Sequence, residues 1–488
     1  MKARTPSTTR TIIWFRNDLR MADNPAQLAA AQRGPVVPVF IWSPGEEGRW
    51  QPGGASKWWL HRSLQALGQS LAKLGTPLIL RKGPSLDCLN QLLNESGASA
   101  ICWNRRYEPA LARRDAEITT ALEQRGVHVE SFNGSLLFEP GKVLNKSGKP
   151  FQVFTPFWKT CLSLNAPSDP LPAPRKLAGM DRLLKSLSLD TLELEPTIPW
   201  AKGFEPVWTP GETSAIATLR KFCSEAFLHY SEGRNRPDLP GTSRLSPHLH
   251  FGEISPRQVW HGLRRWCEQQ GHPTSFWHAS QFLAEIGWRE FAHQLLHHFP
   301  HTPAEPLRPE FARFPWHADL EALKAWQKGR TGYPLVDAGM RQVWATGWMH
   351  NRIRMVVASF LVKDLLIPWQ MGADWFWDTL VDADLANNTL GWQWTAGCGA
   401  DAAPFFRIFN PTSQGEKFDP KGDYVRQWVP ELAKMPTKWI HEPWAAPEKV
   451  LREAGLQIGR NYPERIINHS TARNVALEAY GKMKANPI

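Results

Sequence analysis

The sequence predicts an α/β + all-α fold, with an amino-terminal doubly wound parallel sheet, a long connector and a carboxy-terminal all-helical domain. Three observations predict this fold. Short apolar runs alternate with helical patterns over residues 10–140, prolines crowd the middle of the chain, and strand signals almost vanish beyond them. The length of 488 residues also exceeds what one hydrophobic core usually supports.

Four apolar runs in the first part predict buried parallel strands: Thr11–Phe15, Val36–Trp42, Pro77–Leu80 and Ala100–Trp103. Apolar residues at helical spacing predict helices between and after them, over Trp58–Leu74, Asp87–Asn94 and Ala110–Arg125. In such a sheet the ligand site lies at the carboxyl ends of the strands. Neither a GxGxxG motif nor a P-loop occurs, so a Rossmann dinucleotide site or an NTPase is not indicated.

The chain is rich in proline from about Ala166 to Gly211, which predicts an extended connector, assigned to residues 141–211. Helical periodicity then predicts an all-helical domain over residues 212–482. Its expected helices are Glu212–Tyr230, Ser255–Gln270, Phe276–Phe299, Tyr333–Thr346, Asn351–Leu366 and Trp375–Asp382.

The composition is typical of a protein that binds a polyanion. The chain has 57 Lys and Arg against 46 Asp and Glu, a net charge of +11 and a pI near 9.4. With many aromatic residues, this favours nucleic acid as a partner, because phosphate contacts release counterions. No apolar run approaches the roughly 18 residues that would span a membrane, and the start, Met1–Pro6, lacks the apolar segment of a secretory signal.

Six cysteines lie far apart without a CxxC pair, which indicates reduced thiols and a cytoplasmic protein. No HExxH motif or other grouping of ligand residues has metal spacing, so no metal site is expected. No GxSxG motif supports hydrolase chemistry.

Tryptophan is concentrated beside acids and amides near the carboxy-terminal end of the helical pattern. Trp392 and Trp394 follow the run Asp382-Ala383-Asp384-Leu385-Ala386-Asn387-Asn388, in a chain with 25 Trp. This arrangement indicates chemistry with flat rings, such as stacking on a base, holding an aromatic cofactor or passing electrons. The alternative is large core residues packed around ordinary polar caps.

Three further groups could carry function. Glu285, Trp288 and Arg289 share one helix face, where they could read a base edge, stack on it and hold a phosphate, or form a surface ion pair beside a core Trp. Asn351 and Met355 lie one turn apart among arginines. The loop Gly241–Ser246 could bind a pyrophosphate, although such hydroxyl-rich loops mostly cap helices.

Together these residues resemble the photolyase/cryptochrome family across nearly the whole chain. The motifs are WFRNDLR (Trp14–Arg20), GTSRLSP (Gly241–Pro247), EIGWREF (Glu285–Phe291), TGYPLVDAGMRQ (Thr331–Gln342), TGWMHNRIRM (Thr346–Met355), DADLANNTLGWQW (Asp382–Trp394) and the run Phe406–Leu432. Their order is similar to that of bacterial cyclobutane pyrimidine dimer photolyases. Pro38–Leu64 is closer to plant cryptochromes, a mixture that resembles the class III dimer photolyases.

The resemblance implies an α/β antenna domain, a connector, and a helical domain that binds FAD and DNA. By motif, the FAD contacts are Tyr230, Thr242, Ser243, Arg244, Leu245, Ser246, Gln281, Arg354, Asp382, Ala383, Asp384 and Asn388. The substrate and DNA contacts are Glu285, Trp288, Arg289, Asn351, Arg352, Met355, Trp394 and Gln414. Asn388 would lie opposite flavin N5, where plant cryptochromes have Asp, and it therefore favours repair over signalling.

The implied mechanism is redox photochemistry on ultraviolet-damaged DNA, single- or double-stranded. Excited FADH⁻ gives one electron to a flipped dimer, the cyclobutane ring splits, and the electron returns. Glu285 and Asn388 would act at the site, and Trp392, Trp369 and Trp316 match the tryptophan relay that reduces resting flavin. Repair of the (6-4) lesion is disfavoured because His350-Asn351 replaces two adjacent histidines.

Two alternatives to a dimer photolyase are a cryptochrome-type blue-light receptor and a flavin protein without catalysis. The receptor is disfavoured by Asn388, Trp394, Met355 and the lack of a long extension after Lys482. Glu108 corresponds to a folate contact in the family, so methenyltetrahydrofolate is the expected antenna, with a deazaflavin or no antenna as alternatives. The protein is expected to be a monomer, cytoplasmic and associated with the bacterial nucleoid.

Overall fold

A computed structural model of the chain describes residues 9–181 and 184–485. Met1–Pro6, on which the expectation about targeting depends, lies outside the described residues. The amino-terminal part is a five-stranded parallel sheet with strand order β3-β2-β1-β4-β5. Its strands are β1 (Thr11–Phe15), β2 (Val36–Trp42), β3 (Ile79–Lys82), β4 (Ala100–Asn104) and β5 (His128–Phe132). The strand order reverses beside β1, which confirms the predicted doubly wound sheet.

The sheet is covered on both faces by helices. These are α1 (Pro25–Arg33), α2 (Gly54–Lys73), α3 (Ser85–Ser96) and α4 (Pro109–Gln124). Side chains alternate along β1, so that Ile13 and Phe15 enter one core while Ile12 and Trp14 enter the other.

Three elements of this domain differ from the prediction. β3 begins at Ile79, two residues later than expected. β5 was not predicted, because this edge strand is only partly buried and carries polar His128 and Glu130 instead of an apolar run. α1 was also missed, although Asn24 caps it by accepting a hydrogen bond from the Gln27 N–H.

The segment 141–211 contains α5 (Phe154–Ser163) and then an extended course. Two 3₁₀ turns interrupt that course, at Asp190–Leu192 and Pro199–Gly203. Its buried apolar side chains pack with the core beneath α2, among them Phe204 and Trp208. The connector therefore completes the core of the α/β domain as well as joining two domains. The domain limits at residues 140 and 211 stay predictions.

The remainder of the chain is helical, which confirms the predicted fold class. Its helices are α6 (Glu212–Glu225), α7 (Tyr230–Gly233), α8 (Ser246–His250), α9 (Pro256–Gln269), α10 (Thr274–His278), α11 (Gln281–His298), α12 (Leu320–Gln327), α13 (Pro334–Thr346), α14 (Asn351–Ser359), α15 (Trp369–Thr379), α16 (Leu385–Ala396), α17 (Pro411–Phe418), α18 (Asp423–Trp428), α19 (Glu448–Ala454) and α20 (His469–Ala485). A π-helix over Phe360–Asp364 continues α14. Further 3₁₀ turns are Pro44–Trp50, Phe227–His229, Pro309–Arg313, Pro430–Leu432, Thr437–Trp439 and Pro443–Ala445.

Three predicted helices are divided or displaced by local signals. The pattern over Phe276–Phe299 breaks where Ser280 caps α11 by accepting a hydrogen bond from the Leu283 N–H. The helix predicted over Glu212–Tyr230 ends at Glu225. The helix predicted from Trp375 begins earlier, at Trp369, directly after Pro368. No helix in the described ranges is long and apolar enough to cross a membrane.

Candidate functional site

A cavity of about 410 Å³ lies in the helical domain between α11, α14, α15 and α16. Thirteen of its lining residues belong to the predicted site: Gln281, Glu285, Trp288, Arg289, Asn351, Arg354, Met355, Asp382, Ala383, Asp384, Asn388, Trp392 and Trp394. The sequence therefore identified most of the wall, drawn from three separate motifs that are distant in the chain.

Other lining residues were not predicted: Arg234, Ala358, Phe376, Leu380, Asn387, Leu390, Gly391 and Thr395. Phe376 and Leu380 lie one helical turn apart, and Asn387 adjoins Asn388, so their spacing could have indicated them. Arg234 has no comparable signal, because it precedes α11 by a long stretch of chain.

Two carboxylates at the base of the cavity have different partners. Asp382 accepts two hydrogen bonds from the Arg354 NH2 group, at 3.0 and 2.8 Å. Asp384 caps α16 by accepting from the Asn387 N–H at 2.9 Å, and its other oxygen faces His250 and His293. Burial alone would raise the pKa of Asp384, but His293 and His250 outweigh it and lower that pKa well below the usual range. Asp384 is therefore ionised.

Asn388 projects from the first turn of α16 into the cavity. Its Nδ2 donates to the Ala373 carbonyl of α15 at 3.1 Å, which holds the amide in one orientation. Gly391 lies one turn further along α16, and a Cβ there would meet no atom within 4 Å. A flat ligand could therefore approach the backbone of α16 closely at Gly391.

Trp392 forms an apolar side of the cavity and is only 2% exposed. Its ring contacts those of Phe376 and Trp326, with centroids 5.0 and 6.3 Å away. Gly372 admits this ring, since a Cβ there would lie 2.1 Å from the Trp392 ring. Trp369 and Trp316 join the same apolar core but do not line the cavity. The proposed order of an electron relay through them stays a prediction.

The mouth of the cavity carries Glu285, which is held by two donors. Arg234 NH2 lies 2.7 Å from its Oε1, and Gln281 Nε2 donates to the same oxygen at 3.0 Å. Trp288, one turn further along α11, is stacked on Phe154 of α5 at 3.9 Å between ring centroids. One face of this indole is therefore covered, and the ring is fixed.

Arg289 lines the cavity yet is largely buried, with its NH1 donating to the Ser135 carbonyl at 2.8 Å. That placement leaves little of the guanidinium for a DNA strand. Arg352 and Gln414 lie outside the lining. The Arg352 guanidinium binds Asn235 Oδ1 at 2.6 Å, and it lies over the Phe418 ring at 4.4 Å.

The predicted phosphate loop also lies outside the cavity lining. Its residues are Thr242, Ser243, Arg244, Leu245 and Ser246, of which Leu245 is a core residue at 1% exposure. Arg244 has a left-handed φ of 52°, and its guanidinium lies 4.3 and 4.9 Å from the centroids of the Trp208 and Trp348 rings. Burial lowers the pKa of Arg244. Tyr230 packs edge-on against Phe282.

Glu108 lies in the α/β domain at the start of α4. Arg106 donates to both of its carboxylate oxygens, and the Tyr107 N–H adds a third donor at 3.1 Å. Burial would raise the pKa of Glu108, but Arg106 outweighs it and lowers the pKa to about 2. A small cleft of about 50 Å³ nearby lies at the carboxyl ends of β1 and β2, and Ala383 lines both this cleft and the main cavity.

Two family models match the chain. The model described as FAD binding domain of DNA photolyase matches residues 282–482, and the model described as DNA photolyase matches residues 11–175. The chain is 49% identical to a deoxyribodipyrimidine photo-lyase of Agrobacterium fabrum over 98% of each protein. It is 43% identical to Cryptochrome-2 of Arabidopsis thaliana, over 98% of this chain and 80% of that protein. The crystal structure of a bacterial class III photolyase from Agrobacterium tumefaciens superposes with a TM-score of 0.94 at 48% identity, covering 99% of this chain and all of that one.

Proposed function

The chain belongs to the photolyase/cryptochrome family, and on that premise we propose that it is a carbon–carbon lyase that repairs cyclobutane pyrimidine dimers in DNA with light. One observation carries the proposal. In a chain 49% identical throughout to a photo-lyase, a single cavity combines indole and thioether surfaces at its mouth with paired carboxylates and an amide at its base. The second candidate is a blue-light receptor, which the 43% identity to a plant cryptochrome favours.

The cavity suits a flavin. Its volume of about 410 Å³ lies within the range of roughly 300–1,000 Å³ usual for ligand sites. The exposed backbone at Gly391 allows a flat ring to approach α16 closely. Polar groups for the edge of that ring are available from Arg354, Asp382, Asp384 and Asn388. When bound and reduced, FAD supplies the electron that light transfers to the dimer and that returns after the ring splits. The loop Thr242–Ser246 with Tyr230 is proposed to hold its phosphates.

The residues of the chain position the dimer and exclude water. Trp288 and Trp394 offer rings on which an extruded base can stack, and Met355 completes an apolar surface. Glu285 is oriented by Arg234 and Gln281, so that its carboxylate can accept a hydrogen bond from a base N–H. A dimer stacks poorly in DNA, and extruding it costs less than extruding a normal base, which contributes selectivity.

The DNA strand is proposed to bind outside the cavity, aided by the net charge of +11. Arg352 and Gln414 are the proposed strand contacts, and Asn351, next to Arg352 in sequence, lies exposed at the rim. We propose that the protein works as a monomer on chromosomal DNA in the nucleoid and accepts single- and double-stranded damage. Mobility shifts with irradiated oligonucleotides of both kinds test this substrate range.

The deciding experiment is to mix the flavin-loaded, reduced protein with ultraviolet-irradiated oligo(dT) and follow the recovery of absorbance at ~260 nm under blue light, with darkness as the control. Trp394→Ala should lower the rate, because it removes a ring from the cavity wall. Trp344→Ala is the matched control, since this exposed indole is outside the lining. If the absorbance of irradiated oligo(dT) does not recover under blue light with a flavin-loaded sample, the result favours the receptor function.

For the antenna we propose methenyltetrahydrofolate, with a contact to Glu108. Support comes from the ionised state of this carboxylate, which Arg106 maintains within a largely buried pair. A near-ultraviolet absorption band that persists after the flavin is subtracted, and that Glu108→Gln weakens, is expected. A spectrum accounted for by flavin alone would favour an empty antenna site.

A further inference from the structure

Asp384 has a distinct set of partners for each of its two carboxylate oxygens. Its Oδ1 accepts from the Asn387 N–H at 2.9 Å and from the Asn387 Nδ2 at 2.7 Å. Its Oδ2 faces two imidazoles, with His250 Nδ1 at 3.5 Å and His293 Nε2 at 3.6 Å. All three side chains are about nine-tenths buried, so water screens the charge on this group only weakly.

The tautomer of His250 follows from its other neighbour, Asn17. The Asn17 Oδ1 accepts from Arg106 NH1 at 2.9 Å, so the amide must turn its NH₂ group toward His250 Nε2, 3.4 Å away. His250 Nε2 is therefore an acceptor. A neutral imidazole then carries its proton on Nδ1, which lies on the side of Asp384, 3.5 Å from its Oδ2, without forming a hydrogen bond to it.

In His293, by contrast, the ring nitrogen that faces Asp384 is Nε2. Its Nδ1 lies 3.0 Å from the Arg289 carbonyl oxygen, which can only accept, so Nδ1 carries a proton. In the neutral imidazole, Nε2 is then a bare lone pair that faces the carboxylate of Asp384. Only a second proton, placed on Nε2, makes the contact between His293 and Asp384 attractive.

We propose that His293 is a positioning residue that forms a one-proton pair with Asp384 at the base of the cavity. With a proton on Nε2, the imidazolium holds the ionised carboxylate and the pair is neutral. Release of that proton to solvent water leaves two facing lone pairs and a net negative charge beside the cavity. This consequence for a bound flavin rests on the proposed function, whereas the protonation of the pair does not.

The charges around His293 set the pH at which its second proton is released. Burial lowers the pKa of His293, Asp384 raises it, and Arg289 lowers it, with a net shift below the ordinary histidine value. The groups that face the pair from the packed elements are Arg289 of α11, His250 of α8, Asp384 at the start of α16 and Glu108 at the start of α4. Release is therefore expected on the acidic side of the usual histidine range.

The pair can be observed directly by NMR of the full chain with ¹⁵N-labelled histidine, both without and with flavin. Between about pH 5 and about pH 9, we expect Nε2 of His293 to titrate in one step while its Nδ1 keeps its proton. His293→Gln assigns the signals. Asp384→Asn preserves the helix cap, because Asn caps as well as Asp, and should move the step to lower pH. An Nε2 that stays bare throughout, or a step that Asp384→Asn leaves unchanged, would overturn the proposal.

The effect on the cavity is measured by the midpoint potential of the bound flavin as a function of pH. Wild type should show an inflection at the pH where His293 titrates, and His293→Gln should lack it. His297→Gln is the matched control, because His297 lies one turn further along α11 but is exposed, and it should retain the inflection. An inflection that survives His293→Gln refutes the role of the pair. A chain that binds no flavin would instead refute the proposed function, and the NMR result would stand.

Discussion

Gly372→Ala should show how tightly the wall of the cavity is packed around Trp392. A Cβ at this position would lie 2.1 Å from Cη2 of Trp392 and 2.6 Å from Cδ2 of Leu361, far inside ordinary contact. Relief requires the indole to move by more than about 1 Å, an overpacking that typically costs about 1–3 kcal/mol. The helix gains about 0.5–1 kcal/mol from Ala over Gly, so a net loss of about 1 kcal/mol, and at most about 2.5 kcal/mol, is expected.

Phe376 and Trp326 pack against the Trp392 ring within the core, so the direction left open to it is the cavity. Gly372→Ala should therefore lower the flavin content of the purified protein as well as its stability. The midpoint of thermal unfolding should fall by at most about 2–4 °C for each kcal/mol lost.

Gly68→Ala is the matched control, because this residue lies within α2 and a Cβ there meets nothing within 4 Å. The control should gain about 0.5–1 kcal/mol and keep its flavin. If Gly372→Ala loads flavin fully and melts no lower than the control, the packing described around Trp392 is wrong.

Three further outcomes are expected. Trp392→Phe should block photoreduction of resting flavin, measured as bleaching near ~450 nm with an external reductant, while repair by pre-reduced protein continues; equal loss of both would remove Trp392 from the relay. Arg352→Ala should reduce the slope of log K against log salt for dimer-containing DNA by about 1, because Arg352 is the proposed cationic contact to the strand; an unchanged slope would exclude that contact. Burial raises the pKa of Glu290 to about 7, against about 4.3 when unfolded, so its contribution to stability is complete below about pH 4.3 and declines as the pH rises to about 7. In urea titrations, Glu290→Gln should therefore reduce the dependence of the unfolding free energy on pH between about pH 4.3 and about pH 7. An unchanged dependence would contradict the raised pKa of Glu290.

Much of the fold could be predicted because burial leaves a strong mark on composition. β1 and β2 are buried at every position, and their apolar runs matched the observed strands. β5 could not be recognised, because a half-exposed edge strand needs no apolar run. The break between α10 and α11 was missed because apolar spacing continues across it, although Ser280 carries the signal of a new helix start.

The candidate site was predictable where its members share a motif. Asp382, Asp384 and Asn388 lie on one turn and its cap, so that local geometry alone brings them to one place. Arg234 was missed, since its contact with Glu285 depends on how α7 and α11 pack and not on any spacing between them.

The chemistry available to this protein, namely its indoles, carboxylates, amides and helix faces, can be read from the chain, because local spacing decides which side chains share a surface. How those groups are paired depends on tertiary packing. Phe154 from the connector covers one face of Trp288, and Asn17 from the α/β domain sets the tautomer of His250, whose Nδ1 lies 3.5 Å from Asp384. Such contacts join residues more than a hundred positions apart. They depend on the packing of whole domains, and packing at that range leaves no periodic trace in the chain.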